Sequence, residues 1–160
     1  MSTPTPVSDQ LPADLATAEQ DLRRAVLDAL AAAPSRRLSA SLLFENLRLL
    51  PVALRLGVAL NDAGLEPTLL WPDAGGAALA RREAPELQDA IKDFNQWSAQ
   101  PDGDALLMVV GPQPSDYHPF MALCQAHRGP AVMLNGRLND PITLNEVITG
   151  DEDRDTYYWE

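Results

Sequence analysis

The sequence predicts an α/β fold: a three-layer sandwich in which a mostly parallel, Rossmann-like sheet of about four strands has helices on both faces. Three of the four predicted strands are short and almost wholly apolar, which is typical of strands buried on both faces. Segments with the periodicity of amphipathic helices separate the strands, as parallel pairing through crossover connections requires. The 160 residues suffice for one such domain with a core of its own.

The elements before residue 50 follow from residue periodicity. Residues 1–12 carry no basic or apolar targeting pattern, and they are predicted to form a disordered leader. Apolar residues recur every three or four positions over 15–33, which predicts a helix that stops at Pro34. Residues 38–45 place Ser39 and Ser41 between apolar positions. This alternation predicts a strand with one well-buried face.

The second helix is predicted to span about 50–63, because Pro51 suits a first helical turn and Gly64 follows the last apolar position. The later elements are predicted from short apolar runs and helical periodicity bounded by turn residues. In chain order they are strand 68–71, helices 74–83 and 86–97, strand 105–110, helix 117–127 and strand 131–134. Together these elements define an α/β domain over 13–140.

The charge of the chain limits its partners. A formal net charge of −11 and a pI near 4.4 argue against nucleic acid, whose phosphates require a basic surface, and disfavour anionic lipid. Part of the acidic excess lies in 141–160, which we expect to be an acidic, partly mobile segment. No apolar run approaches the roughly 20 residues that span a bilayer. We therefore expect no transmembrane segment and at most peripheral membrane contact.

Cysteine usage indicates a reducing compartment. Cys124 is the single cysteine of the chain, which excludes an internal disulfide framework. Because the first residues also encode neither export nor organelle import, we expect a cytoplasmic location.

A candidate ligand site lies where the strand at 68–71 meets the following helix. Asp73, Gly75 and Gly76 stand at this junction, and backbone amides at a helix N-terminus can bind phosphate. The spacing matches neither of the known glycine-rich nucleotide loops. The same residues also suit a structural role, in which Asp73 caps the helix and the glycines allow close packing on the sheet. Both interpretations remain open.

The loops after the last two predicted strands supply further polar candidates. Ser115 follows the strand at 105–110, and Asn135 and Arg137 follow the strand at 131–134. Amide groups and a planar guanidinium suit a carboxylate or phosphate ligand at the carboxyl edge of the sheet. Alternatively, Asn135 forms a turn with the next glycine, and Arg137 neutralises a neighbouring acid.

The sequence predicts no catalytic residues, metal site or cofactor. The letters around Asp73 resemble the acid loop of tyrosine phosphatases, but the arginine required six positions after Cys124 is replaced by Pro130. Cys124 and His127 lie three residues apart on a predicted helix, with His118 further back, so two of them could share a metal, whereas a zinc site needs three or four ligands. A buried, structural cysteine is the alternative.

Three segments resemble, in the same order, parts of a family of cyanobacterial and plastid proteins classified as a domain of unknown function: LLWPDAGGAALARRE, DALLMVVGPQPSDY and GPAVMLNGRLND. In that family a strand ending in FPD leads into a GAAALARR-like helix, a later strand reads like LLVVAP, and another ends in LLNPRLED. The resemblance covers about 15–140. The family occurs in plant low-photosystem-II-accumulation proteins, which assist photosystem II assembly, and at the C-terminal end of a chloroplast adenylate kinase.

Two departures from the family pattern bear on what the resemblance implies. Gly136 stands where the family often has proline, and the family's C-terminal portion is expected to be missing or divergent after Asp140. The resemblance carries no established catalytic residues. It implies a non-enzymatic accessory protein that binds other proteins, in photosystem II biogenesis at the thylakoid surface, with photosystem II subunits or assembly factors as partners.

Two alternatives to this function come from the residues. A small-molecule binder or enzyme would use the carboxyl edge of the sheet, with phosphorylated metabolites or nucleotides as ligands. A host-interaction or oligomerisation module would instead use its acidic tail to contact a basic partner.

Overall fold

The computed structural model describes residues 7–32, 37–42, 44, 46–101, 105–137, 147–148 and 156–159. Its α-helices are α1 (Val7–Ala32), α2 (Leu49–Asp62), α3 (Ala74–Glu83), α4 (Phe94–Ala99) and α5 (Tyr117–Ala126). Its strands are β1 (Arg37–Ala40), β2 (Thr68–Trp71), β3 (Ile91–Asp93), β4 (Leu107–Val110), β5 (Ala131–Leu134), β6 (Val147–Ile148) and β7 (Thr156–Trp159). Two 3₁₀ turns cover Pro85–Ala90 and Pro114–Asp116.

One sheet contains all the described strands, in the order β3-β2-β4-β5-β1-β7-β6. Strands β1 to β5 pair in parallel, whereas β7 runs antiparallel to β1, and β6 antiparallel to β7. The predicted α/β sandwich with a mostly parallel sheet is confirmed. The described sheet is larger than the four strands predicted, because β3, β6 and β7 were not foreseen.

The strands β2, β4 and β5 are buried on both faces along their whole length. Leu69 and Met108 belong to the apolar cluster that includes residues of α1, α2 and α3. The neighbouring Leu70 and Leu107 belong to the cluster on the other face, which includes residues of α4 and α5. Successive side chains of a strand point to opposite faces, so the near-continuous apolar runs of these strands are explained by a helical layer on each side.

The first helix and the first strand differ from their predicted bounds. Helix α1 begins at Val7 and so includes 7–12 of the segment predicted to be a leader. Strand β1 covers only the first part of the predicted strand at 38–45, and Ser39 within it is 9% exposed. The strand lies between β5 and β7. Consecutive residues Leu38, Ser39 and Ala40 are all buried, so both faces of this interior strand are covered, and the predicted single buried face is wrong.

The segment 86–97 is not the single helix that its composition predicts. It contains the end of the 3₁₀ turn Pro85–Ala90, strand β3 and most of α4. Ile91 is 2% exposed and pairs in parallel with Leu69 of β2. Asp93 then starts α4, because its carboxylate accepts from the Gln96 amide at 2.7 Å while its own N–H donates to the Gln96 side chain at 3.0 Å. This capping box separates strand from helix.

The exposed side of β3 is an edge whose backbone groups are partly occupied. The Arg81 side chain donates from Nε to the Ile91 carbonyl at 3.1 Å and also hydrogen-bonds the Gln96 side chain. The Asp93 N–H is taken up by the capping box. Occupied backbone groups make a sheet edge a poorer template for pairing with another strand.

Candidate functional site

The carboxyl ends of the parallel strands form the edge at which open α/β sheets bind ligands. The chain leaves β2 through α3, which packs on the face that α1 and α2 cover. It leaves β4 through α5, which packs on the opposite face. Because β2 and β4 are neighbours, the connections diverge between them. The topological switch point of the sheet therefore lies beside Trp71 and Val110.

A cavity of about 330 Å³ opens at this switch point, and we call it the Asp73 cavity. Its walls come from the end of β2, the end of β4 and the start of α2. The lining residues are Leu49, Leu50, Trp71, Pro72, Asp73, Val110, Gly111, Gln113 and Asp116. Asp73 and Asp116 are the ionisable residues among them. Two carboxylates repel a phosphate, so the predicted phosphate site at this junction has unfavourable charge.

Asp73 is the N-cap residue of α3. Its side chain accepts from the Gly76 amide at 3.4 Å, a long hydrogen bond. A Cβ at Gly76 would lie 2.8 Å from Trp71 Cδ1, so this glycine lets the first turn of α3 approach β2. These contacts match the capping and packing roles considered above. Gly75 and Gly76 line neither this cavity nor the next one along the edge.

A second cavity of about 660 Å³ adjoins the first, and we call it the Arg137 cavity. It lies between the chain that leaves β1 and the chain that leaves β5. The described lining residues are Ser41, Leu42, Phe44, Asn46, Leu47, Leu49, Gln113, Asn135, Gly136 and Arg137. Leu49 and Gln113 also line the Asp73 cavity. Arg137 is the one ionisable side chain in this described lining, which therefore has a positive charge.

Asn135 holds the two chain segments of this cavity together. Its side-chain oxygen accepts from the Leu42 N–H at 2.7 Å, and its Nδ2 donates to the Leu42 carbonyl at 3.1 Å. Its own N–H donates to the Ala40 carbonyl at 2.8 Å. With a φ of 51°, Asn135 occupies the left-handed region, which asparagine tolerates better than most residues. The predicted contact residue is thus engaged mainly with the backbone, and it positions the site.

The backbone places Arg137 between the loops that follow β4 and β5. The Arg137 N–H donates to the Pro112 carbonyl at 2.7 Å, and the Gly111 N–H donates to the Leu134 carbonyl at 2.8 Å. The Arg137 side chain is exposed, and within the described parts of the chain it has no ion-pair or hydrogen-bond partner. Its predicted role in neutralising an acid is therefore not seen among the described residues.

The remaining predicted site residue, Ser115, lies in the 3₁₀ turn Pro114–Asp116, where it is exposed and lines neither edge cavity. The structure thus brings Asn135 and Arg137 together and places Asp73 in the adjoining cavity. Sequence reasoning missed Ser41, Asn46 and Gln113. Gln113 stands in the turn-rich loop after an apolar strand, which was a usable signal, whereas Ser41 was hidden in an alternating strand pattern.

A third cavity, of about 400 Å³, lies away from the sheet edge; we call it the interhelical groove. Residues of α1, α2 and the end of α3 line it. The apolar ones are Leu22, Val52, Leu54, Leu56, Val58, Ala59 and Ala84, and the charged ones are Glu19, Arg23, Arg55, Asp62, Glu83 and Glu86. Sequence analysis did not single it out, although Leu54 and Val58 stand four residues apart on α2.

Glu19 and Arg55 join α1 to α2 at the rim of this groove. Arg55 donates from Nε and Nη2 to the two carboxylate oxygens, at 2.8 and 2.7 Å. The hydrogen bonds that Arg55 donates to the Glu19 carboxylate raise the pKa of Arg55 above its ordinary value. With this pair balanced, the other charged lining residues are three acids and Arg23, so the described rim has an acidic excess.

The three residues considered for a metal do not form a site. Cys124 is buried in the apolar cluster with α4 and α5, as the core alternative predicts. His127 is also buried, and its Nε2 lies 3.0 Å from the Pro130 carbonyl. His118 is exposed and packs edge-on against Tyr117. Within the described residues, no group of three or more His, Cys, Asp or Glu side chains is placed to hold a metal ion.

None of the described helices is both long enough and apolar enough to cross a bilayer.

Comparison with family models matches residues 12–157 to a model described as a domain of unknown function, DUF1995. The chain belongs to the DUF1995 family. The match extends beyond Asp140, so the matched region of this DUF1995 domain includes most of the segment for which a missing or divergent C-terminal portion was predicted. No curated protein and no solved structure matches the chain.

Proposed function

We propose that this DUF1995 domain is a non-enzymatic accessory protein that binds another protein through the interhelical groove, in the biogenesis of photosystem II. The observation that carries the protein-binding part is the groove itself, which combines apolar side chains of α1 and α2 with an acidic rim. The photosystem II context comes from the resemblance of the strand-end segments to proteins that assist its assembly.

The apolar part of the groove suits a helical or extended segment of a partner. Leu22, Val52 and Leu56 form a buried floor. Leu54 and Val58 are half-buried and stand one turn apart on the same face of α2. An amphipathic partner helix inserts apolar side chains into grooves of this kind.

The charge of the groove selects the partner. The Glu19–Arg55 pair is electrically balanced. The charged lining residues that remain are three acids and one base: Asp62, Glu83, Glu86 and Arg23. A basic amphipathic segment therefore complements the rim, and charge complementarity accelerates association and excludes acidic competitors. We propose that this segment belongs to a photosystem II subunit or assembly factor, which would bring the domain to the thylakoid surface without a lipid anchor.

The test is affinity purification of the tagged full chain from a cyanobacterial host, with mass spectrometry of the bound proteins. We expect photosystem II subunits or assembly factors with the wild-type chain, and their loss with Val58→Glu. Leu79→Glu is the matched control, because Leu79 is 39% exposed on α3 and does not line the groove. Failure to recover any photosystem II component with the wild type would refute the biological assignment.

A charge reversal tests the groove without burying a new charge. Glu86 and Asp89 are both exposed in the turn Pro85–Ala90, but only Glu86 lines the groove. We expect Glu86→Lys to weaken partner recovery and Asp89→Lys to leave it unchanged, with the difference shrinking at high salt. Equal behaviour of the two variants would exclude the groove as the docking surface.

A further inference from the structure

We infer that the Arg137 cavity binds a small organic anion, in which a phosphate or carboxylate group is joined to an apolar body. The cavity lies at the carboxyl edge of the sheet, whereas the interhelical groove lies between α1 and α2. The two sites share no lining residue, so this inference does not depend on the proposed protein partner.

The described lining of the cavity has a charge opposite to that of the chain. The protein carries a formal net charge of −11, yet the described lining of this cavity contains Arg137 and no carboxylate. Three described arginines are engaged within the fold: Arg37 donates to the His127 carbonyl, Arg55 pairs with Glu19, and Arg81 donates to the Ile91 carbonyl. The Arg137 guanidinium has no such partner among the described residues and stays available for an anion.

The chain holds Arg137 at the cavity through its backbone. The hydrogen bond from Arg137 N–H to Pro112 and the two hydrogen bonds between the Asn135 side chain and Leu42 fix both walls. A site whose walls are already tied together loses less freedom on binding a ligand. The planar guanidinium can then donate two parallel hydrogen bonds to a phosphate or carboxylate.

The other wall of the cavity is apolar, so we expect the ligand to carry an apolar group beside its anionic group. Leu42 is buried, and Phe44, Leu47 and Leu49 are half-buried in contact with the core beneath α1 and α2. Ser41 adds a hydroxyl beside this wall. Ligand sites typically have about 300–1,000 Å³ with mostly apolar linings and a few polar groups, and the 660 Å³ of this cavity falls in that range.

The apolar wall distinguishes an organic anion from a free inorganic ion. Inorganic phosphate reaches only the guanidinium and the nearby polar groups, whereas an aromatic phosphate also removes apolar surface from water. We therefore expect phenyl phosphate to bind more tightly than inorganic phosphate, and benzyl alcohol, which lacks the charge, to bind more weakly than phenyl phosphate. Benzoate in place of phenyl phosphate separates a carboxylate preference from a phosphate preference.

The experiment is a calorimetric titration of the full chain with these four probes at low ionic strength. We expect Arg137→Gln to weaken phenyl phosphate binding by about tenfold, because the neutral amide cannot replace the charge-assisted hydrogen bonds of the guanidinium. Arg128→Gln is the matched control, because it removes the same charge from an exposed arginine just before β5, at the opposite edge of the sheet. Its affinity should stay within about twofold of the wild type.

A third variant separates charge from geometry. Arg137→Lys keeps the charge but lacks the planar fork, so we expect an affinity between those of the wild type and Arg137→Gln. Thermal unfolding of each variant checks that the fold is intact. Equal binding by Arg137→Gln and wild type, equal loss in Arg128→Gln, or no binding of phenyl phosphate or benzoate at millimolar concentration would each overturn the inference.

Discussion

The Asp73 cavity and the Arg137 cavity share an edge of the sheet and two lining residues, yet their described linings have opposite charge. Leu49 and Gln113 contribute to both. Asp73 and Asp116 line one cavity, and Arg137 lines the other. Parallel strands with crossover helices create hollows at their carboxyl ends whatever the residues are. Topology thus places the hollows, whereas the residues after each strand decide their charge.

In both cavities, a polar side chain close to the strand end forms hydrogen bonds with the protein backbone. Asp73, two positions after β2, caps α3. Asn135, directly after β5, binds the backbone of Leu42. Arg137 lies further along the chain, and in the described structure only its backbone takes part in such contacts. In the Arg137 cavity, the side chain directly after β5 thus serves the fold, whereas the Arg137 side chain has no hydrogen-bond or ion-pair partner among the described residues.

The largest loss of stability should follow Asn135→Ala, which removes the hydrogen bonds that join two chain segments lining the Arg137 cavity. The change leaves the Leu42 N–H and carbonyl without their partner, and unsatisfied buried groups cost about 1–3 kcal/mol each. We expect the free energy of unfolding to fall by about 2–3 kcal/mol in urea denaturation. Asn46→Ala is the control, because Asn46 also has a positive φ, of 60°, but no side-chain hydrogen bond among the described residues. Equal losses in the two variants would assign the effect to backbone strain alone.

The next largest loss of stability should follow Gly76→Ala, which presses on Trp71 and Asp73 in the wall of the Asp73 cavity. The added Cβ would lie 2.8 Å from Trp71 Cδ1 and 2.9 Å from Asp73 Oδ1. Such overpacking costs about 1–3 kcal/mol, and we expect the lower half of that range. Gly75→Ala is the matched control, because its Cβ would meet only an Asp73 oxygen at 3.4 Å. Alanine favours helix over glycine, so this variant should be neutral or slightly stabilising by thermal unfolding.

A smaller loss should follow Asp73→Ala, which removes the N-cap of α3. Capping residues contribute about 0.5–2 kcal/mol, and the long 3.4 Å bond to Gly76 places this one at the low end. Asp73→Asn keeps an acceptor and should recover most of the loss in urea denaturation. If neither substitution changes the unfolding midpoint, Asp73 contributes only charge to its cavity.

The smallest effect should be electrostatic coupling between the cavities, measured with Asp116→Asn. The Gln113 N–H donates to Asp116 Oδ2 at 2.8 Å, and the asparagine retains an oxygen acceptor for it. Exposed charges on adjoining loops couple only weakly through water, so phenyl phosphate should bind the Arg137 cavity up to about twofold more tightly in low salt. Asp89→Asn, at the far side of the sheet, should leave the affinity unchanged. A gain that persists at high salt would contradict simple charge coupling.

Much of the sheet was predictable, because its signals are local. Strands β2, β4 and β5 appear in the sequence as short apolar runs, since both of their faces are buried. Helix α2 appears as an apolar period with Pro51 in its first turn. The box from Asp93 to Gln96 was also a readable start signal within the segment predicted to be one helix. The prediction of one helix over 86–97 was wrong because the helical periodicity continues across Asp93, which is the N-cap residue of α4.

The sequence by itself determined the α/β class, the places of the central strands and the Asp73 cap, because each depends on residues within one or two turns of one another. The tertiary structure alone decided the strand order, the short strand β3 and the engagement of Asn135. That residue contacts Leu42 across 93 positions of the chain. Ile91 becomes a strand residue only by pairing with Leu69. Such contacts leave no period in the local sequence, since either partner alone suits several structures.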